Sequence, residues 1–419
     1  MIKKVTGLLK SKKSVIENFS YLSIFQIFNI SFPLLTMPYL LSVLGKETYG
    51  LVVFTQTFVS YFLVLVNFGF NLSATKEVSI NRDDKNKLSE IVSSILIIKG
   101  VFFLLSFVIM YVILFFLKES NDFVILSFLT MYLCLYEWMF PVWYFQGIEK
   151  MKYITFINLT SRLFFFVFVF IAIKDKNDYL MWPIINGIGC LIAGLISLYV
   201  VFYQHGISFR WQKKETLIHY INDSKFLFFG NIAGKAKLIS NRMFIGIFIG
   251  MSSVAIYDIV DKLKDVSMVF LQLIVDVMFP KFAKHKDPKL VKKTIRLLVA
   301  LSVFCYLFIG LSLYFIVPIY FKNYIEVVSI FWVLGLMIIF QPMNYLFGIG
   351  VLIVNGLIKQ YSINLYLSAS VYLLSILAVY LLASIDIYTL SFCLVFSAFI
   401  AVLNNIVVAK KHKLTNWIY

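Results

Sequence analysis

Charge is what this sequence has least of. Charged residues make up 14% of the chain, against about a quarter in a typical soluble domain. So few cannot clothe a globule in polar groups, which excludes a soluble protein and makes lipid the main solvent. Acids are the scarcer sign, 21 against 38 Lys and Arg. Cysteine and histidine number four each. Cys134, Cys190, Cys305 and Cys393 lie singly in apolar stretches. Neither a disulfide framework nor a thiolate metal site is expected of them, and they read as inert packing groups. His205, His219, His285 and His412 fall in or beside polar stretches, which argues against a histidine metal centre. The longest polar stretch has only the length of a loop, so no soluble domain is expected.

What the chain does have is apolar length: 61% hydrophobic and 18% aromatic residues. Lys3, Lys4, Lys10, Lys12 and Lys13 precede an apolar run over 19–44. The run is too long for a signal-peptide core and lacks a small-residue cleavage site, so it is expected to stay as a membrane helix. A span needs about 20 mostly apolar residues. That rule predicts twelve spans, at 18–44, 47–72, 91–117, 123–147, 154–173, 180–204, 226–250, 253–280, 294–318, 328–353, 361–383 and 388–408. The fold class expected is therefore an all-α polytopic membrane protein.

The net charge of +17 would suggest nucleic acid in a soluble protein; here its placement is topological. Only Lys46, Lys118, Lys174, Lys176 and Lys322 fall in loops on one side, and most other Lys and Arg lie on the side of the termini. The positive-inside rule makes both termini and the long loops cytoplasmic, with anionic headgroups as a secondary partner and no nucleic acid. Lys99, Arg162, Lys235, Lys237, Arg242, Lys262 and Lys264 are the exceptions, because they fall within the spans.

The chain also repeats itself. "LGKETYGLVVF" (44–54) and "IGMSSVAIYDI" (249–259) share a helix-corner glycine, and "FQGIEKMKY" (145–153) resembles "VNGLIKQY" (354–361). With a long polar stretch near the centre, these matches predict two parallel six-helix halves. The N-terminal lobe is 1–204, the cytoplasmic linker 205–225, and the C-terminal lobe with its basic tail 226–419.

Helical phase, at about 100° per residue, sorts the intramembrane polar groups onto faces. Asn231, Lys235 and Arg242 form one stripe, with Lys237 on the other side. Asp258, Asp261, Asp265, Gln272 and Asp276 share a face, with Lys262 at its edge. Thr155, Asn158 and Arg162 align in the fifth span, Gln26 and Asn29 in the first, and Gln341 and Asn344 in the tenth. Glu137 lies within the fourth. Two readings compete: a hydrated cation-rich cavity lining a substrate path, or interhelical salt bridges in which the acids merely neutralise Lys235 and Arg242. Lys99, and Lys264 with Asp265, are expected to snorkel to an interface. Glu137 is either a neutral core acid or a proton-coupling group. Pro33, Pro38, Pro141, Pro183 and Pro342 are expected to kink or break spans.

Facing cations favour an anionic substrate, and several of them suit an amphiphile such as a lipid-linked phosphate better than a small anion. "PLLTMPYLLSVLGKETYGL" (33–51) and "NFGFNLSATKEVS" (67–79) resemble the opening of bacterial polysaccharide-repeat flippases of the Wzx type. "LISNRMFIGIFIGMSSVAIYDIVDKL" (238–263) resembles the start of that family's second half, and "MFPKFAK" (278–284) is similar too. Arg242, Gly246, Tyr257 and Lys262 match the family pattern, while Asn241 stands where an acid is usual. The resemblance implies the MATE-like fold of the multidrug/oligosaccharidyl-lipid/polysaccharide exporter superfamily, with two pseudosymmetric lobes flanking a central cavity. It also implies a transporter, not an enzyme: one that moves undecaprenyl-diphosphate-linked oligosaccharide to the periplasmic leaflet of the bacterial inner membrane, for O-antigen or another surface polysaccharide.

On this reading Lys235, Arg242, Arg162, Lys262 and Lys99 are candidates for binding the diphosphate. Asn231, Asn158, Gln341, Asn344, Gln26 and Asn29 are candidates for sugar contacts. Asp258, Asp261, Asp265, Asp276 and Glu137 are candidates for counter-charge or for carrying a coupling ion, proton or sodium. No cofactor or metal is expected; the partners are the lipid-linked oligosaccharide, membrane lipids and other polysaccharide-assembly membrane proteins. Lys235→Ala and Arg242→Ala are expected to abolish surface polysaccharide and leave the protein in the membrane. The rival readings are a drug/cation antiporter of the same superfamily, and an integral-membrane polymerase or glycosyltransferase.

Overall fold

In the computed structural model the described residues are 2–117, 120–285, 287–320, 324–382 and 384–414. Side chains are described for these, apart from residues 2–19, 22, 231, 233, 280, 283, 285 and 320. Among the described residues there is no strand, as lipid requires of an open chain: only a helix satisfies its backbone hydrogen bonds within one segment.

The helices in chain order are α1 (Ile2–Asn67), α2 (Phe70–Ile80), α3 (Lys85–Leu117), α4 (Asn121–Thr130), α5 (Tyr132–Met139), α6 (Val142–Gly147) and α7 (Met151–Ala172). After them come α8 (Met181–Tyr199), α9 (Lys214–Phe248), α10 (Met251–His285), α11 (Pro288–Tyr320), α12 (Glu326–Leu334), α13 (Met337–Leu346), α14 (Ile358–Leu382) and α15 (Ile387–Lys411). π-helical turns, Val200–Gln204 and Phe347–Ile353, continue α8 and α13.

Nine stretches among the described residues are long and apolar enough to cross a membrane. The first, Ser23–Ile80, holds two of the expected spans, because α1 breaks at Gly45 (φ 73, ψ 168). The expected seventh and eighth spans lie on α9 and α10, helices of 35 residues each. The repeat seen in the sequence has a backbone counterpart: Gly45 (φ 73) and Gly250 (φ 122) both sit at positive φ, where a Cβ would be strained. The prolines divide. Pro141 separates α5 from α6, whereas Pro33 and Pro38 lie inside α1 and Pro342 inside α13 without ending them.

The chain separates into two compact units: Met1–Gly45 with Thr55–Asn231, and Lys46–Phe54 with Ile232–Tyr419. The first is built on Phe70, Val78, Ile91, Ile95, Trp143 and Phe145, buried together with Ile154, Ile157 and Val201. In the second, α10 packs on α12 and α13, and α15 packs on α13 and α14. Buried Tyr257, Leu271, Phe331, Met337, Leu346 and Leu394 lie on those helices. The segment Lys46–Phe54 belongs to this unit because Gly50 leaves no space above its Cα: a Cβ there would strike the Met251 carbonyl oxygen. Outward faces are apolar, as on α14, where Leu373, Leu374, Leu377 and Leu381 are exposed. In water that would be an aggregation surface; against lipid it is ordinary.

His205 follows the π-turn of α8. Tyr144 Oη lies 3.1 Å from its Nδ1 and Lys150 Nζ 3.4 Å from its Nε2. An ammonium can only donate, so Nε2 accepts and Nδ1 carries the hydrogen towards Tyr144. Burial, reinforced by Lys150, Lys152 and Lys85, pulls the imidazole down to about 4. The folded value lies below the unfolded one of about 6.5. The neutral ring therefore stabilises fully above that pH, and the contribution is lost as pH falls towards the folded value. Hydrogen exchange at residues 144–153, corrected for intrinsic rates, should accelerate over this window, and His205→Gln should flatten the dependence.

Candidate functional site

In the first unit, the α7 stripe Thr155, Asn158 and Arg162 meets α1 across a small open cleft, which Phe25, Phe28, Asn29 and Leu159 complete. Each polar group is held. Thr155 Oγ1 donates to the Tyr21 carbonyl at 2.8 Å, which ties α7 to α1. Asn158 donates to the Ile154 carbonyl (2.8 Å) and accepts from Tyr136 Oη (2.8 Å). Arg162 Nη2 donates to Asn29 Oδ1 at 2.8 Å. Among the described residues Arg162 is in no salt bridge. A guanidinium has five N–H donors in a fixed fork, and a single neutral amide leaves both the charge and most of the fork available. Gln26, one turn from Asn29 on α1, does not line the cleft.

Lys99 does not snorkel. It is fully buried, and its Nζ lies 2.7 Å from Glu137 Oε1 and 3.0 Å from the Glu137 carbonyl. Asn67 Nδ2 donates to the same Oε1 at 2.7 Å. The side chain turns into the fold rather than along α3, and a nearby acid replaces water as its partner. Both charges are spent on each other. Lys99→Met leaves Glu137 with an amide alone, and breaking a buried pair on one side costs about 3–5 kcal/mol. Thermal melting of the purified protein should show that loss, and adding Glu137→Leu should recover most of it.

The second unit gathers its charges into one chain on α9 and α10. Arg242 Nη2 lies 2.7 Å from Asp261 Oδ2 and 3.4 Å from Asp258 Oδ1. Lys262 Nζ lies 2.7 Å from Asp258 Oδ2 and donates to Tyr49 Oη at 2.8 Å. Tyr49 Oη in turn donates to Asp258 Oδ2 at 2.7 Å. Lys264 Nζ lies 2.8 Å from Asp261 Oδ1 and 3.0 Å from Asp265 Oδ1. Snorkelling of Lys264 is thus overturned too: it is 2% exposed, because two acids within one helical turn hold it inward. Three cations face three acids, so the cluster is neutral as a whole. Of the stripe on α9, Lys235 is exposed and in no salt bridge among the described residues, and the Asn231 side chain lies outside them.

Amides form a third group. Asn344 Oδ1 accepts from Asn364 Nδ2 (3.1 Å) and Asn405 Nδ2 (2.8 Å), and Asn404 Nδ2 donates to Asn364 Oδ1 (2.9 Å). They link α13, α14 and α15. Gln341 Oε1 and Asn405 Oδ1 are buried without a hydrogen-bond partner among the described residues. Asp276 accepts from Tyr345 Oη at 2.7 Å, apart from the ion chain. Sequence reasoning missed Tyr49, Asn67, Asn364, Asn404 and Asn405. For the last two a signal existed, an Asn pair inside an apolar span; for Tyr49 there was none, since its partner is 209 positions away.

A family profile described as "Polysaccharide biosynthesis protein" matches residues 15–286, well over half of the chain. The chain belongs to that family. Members of known description include a candidate O-antigen transporter of Escherichia coli (strain K12), 27% identical over 305 residues and covering 72% of each chain. Another from Shigella dysenteriae is 28% identical over 260 residues, 61% of this chain and 64% of its own. Among solved structures, an inward-facing multidrug-resistance MATE transporter superposes with a TM-score of 0.74 at 10% identity, covering 95% of this chain and 98% of its own. The lipid II flippase MurJ in an inward closed conformation gives 0.72 at 12% identity, over 92% and 87%. At such identities the likeness is one of fold. This polysaccharide biosynthesis family member is a multi-pass membrane transporter, not an enzyme, with the all-α fold of those transporters.

Proposed function

We propose that this family member flips undecaprenyl-diphosphate-linked oligosaccharide from the cytoplasmic to the periplasmic leaflet of the bacterial inner membrane, supplying O-antigen or another surface polysaccharide. The observation that carries this reading is the cleft around Arg162. A guanidinium without an acid partner among the described residues stands beside two amides and two phenylalanine rings. A fork of free N–H donors suits a diphosphate, Asn29 and Asn158 suit sugar hydroxyls, and rings suit an apolar chain or a sugar face. Alternating access would then expose the cleft to one leaflet and then the other, with the polyprenyl tail left in lipid. Both termini are cytoplasmic on this reading, by the lysine and arginine bias of the loops.

A drug/cation antiporter would want an acid free to hold a cation. Here Asp258, Asp261, Asp265 and Glu137 bind cations of the chain itself, and only Asp276, which accepts from Tyr345, stands outside those pairs among the five candidate acids, which weighs against that reading. The test is genetic. Deleting the gene should remove surface polysaccharide and leave lipid-linked repeat units trapped on the cytoplasmic leaflet, and a plasmid copy should restore export. A deletion strain with normal surface polysaccharide would overturn the proposal.

A further inference from the structure

Lys237 is unlike the other buried cations of this chain. It lies on α9, 8% exposed, and its Nζ donates to Ser368 Oγ of α14 at 2.7 Å. Ser368 passes its own hydrogen to the Ser397 carbonyl of α15 at 3.2 Å. One turn further along α9, Asn241 Oδ1 accepts from Tyr372 Oη of α14 at 3.1 Å. The neighbours are thus Ser368 and Tyr372 from α14 and the Ser397 backbone from α15, with buried Cys393 a turn before it. None is a carboxylate. On α9 itself Lys235 is exposed, and Arg242 is taken by Asp258 and Asp261. Among the described residues Lys237 is in no salt bridge.

That difference has a chemical consequence. Lys99 cannot give up a proton without leaving the Glu137 carboxylate with no cation, and Lys264 cannot without taking one from both Asp261 and Asp265, which is costly inside the fold. Lys237 strands nothing. Its contact with Ser368 needs one N–H, which the ammonium and the neutral amine both supply. The two protonation states therefore keep the same hydrogen bonds and differ only in the charge. We propose that Lys237 is the group through which this transporter binds and releases a proton. The Nζ lone pair takes a proton from hydronium or water when the site is open to one side of the membrane. Uptake forms an N–H bond as an O–H bond of hydronium or water breaks; release to water on the other side breaks the N–H and forms an O–H, and no other bond changes. What the proton drives rests on the flippase reading; the binding itself does not.

The purified full-length chain in liposomes, adsorbed on a solid-supported electrode, tests this without any substrate. A pH step should produce a transient charge displacement in the wild type. Lys237→Met, which cannot carry a proton, and Lys237→Arg, which cannot release one, should each reduce it at least about tenfold. His205→Gln, which removes the titrating group outside the membrane, should leave it intact. Lys237→Arg keeps the charge and the donor, so it guards against loss of fold in the methionine variant, and a melting curve verifies both. A wild-type displacement in either Lys237 variant overturns the assignment, as does its absence in the wild type. If the displacement depends on Lys237 and export does not, the proton site stands and its link to flipping fails.

Discussion

Arg162→Ala should abolish surface polysaccharide while the protein accumulates in the membrane at the wild-type level. The two halves of that result come from one observation, that among the described residues Arg162 binds an amide and no acid. Removing it strands no charge, so folding is spared; the loss falls on whatever anion the cleft holds. A charge-assisted hydrogen bond contributes about 1.5–3 kcal/mol, which corresponds to roughly 10- to 100-fold in affinity for a phosphate. Arg162→Lys keeps the charge and loses the fork, so it should fall between alanine and the wild type. Polysaccharide ladders on gels, read beside immunoblots of the membrane fraction, check both halves. Normal export by the alanine variant would remove Arg162 from the site.

Arg242→Ala should behave in the opposite way: the protein itself should be lost. Asp261 would keep Lys264 and Asp258 would keep Lys262, but buried Asp258 and half-buried Asp261 would each lose the guanidinium. Such a break costs about 3–5 kcal/mol, enough to lower the steady-state level severalfold. Pairing Arg242→Met with Asp261→Leu, and Lys264 left to Asp265, should recover most of the level and the melting temperature. Lys235→Ala should leave the level unchanged, because the side chain is exposed and in no salt bridge among the described residues. The expectation from sequence that Arg242→Ala spares the protein is therefore replaced by one of lost stability.

These contrasts mark what was legible in the sequence. The membrane and the helical fold followed from apolar length, because lipid leaves few architectures open, and the family from four quoted stretches. Helical phase grouped Thr155, Asn158 and Arg162 correctly, since a stripe within one helix needs no tertiary information. It separated Lys237 from Arg242, which indeed turn to α14 and α10. Partners across helices were another matter. Lys99 with Glu137 and Tyr49 with Asp258 depend on which helices pack, at what rotation, and no spacing along the chain carries that. Hence the cation stripe of α9 looked like a binding wall, whereas Arg242 is neutralised and Arg162 on α7 has no acid partner among the described residues.

The central claim is that lipid-linked oligosaccharide crosses the bilayer by way of the Arg162 cleft. Its most direct test is leaflet exchange in liposomes holding only the purified chain and a fluorescent undecaprenyl-diphosphate-linked oligosaccharide, followed by quenching of the outer leaflet with a membrane-impermeant reagent. Quenching should proceed well beyond the outer-leaflet half with the wild type, and stop near half with Arg162→Ala. Arrest near half with the wild type, or equal exchange by both proteins, would contradict the account.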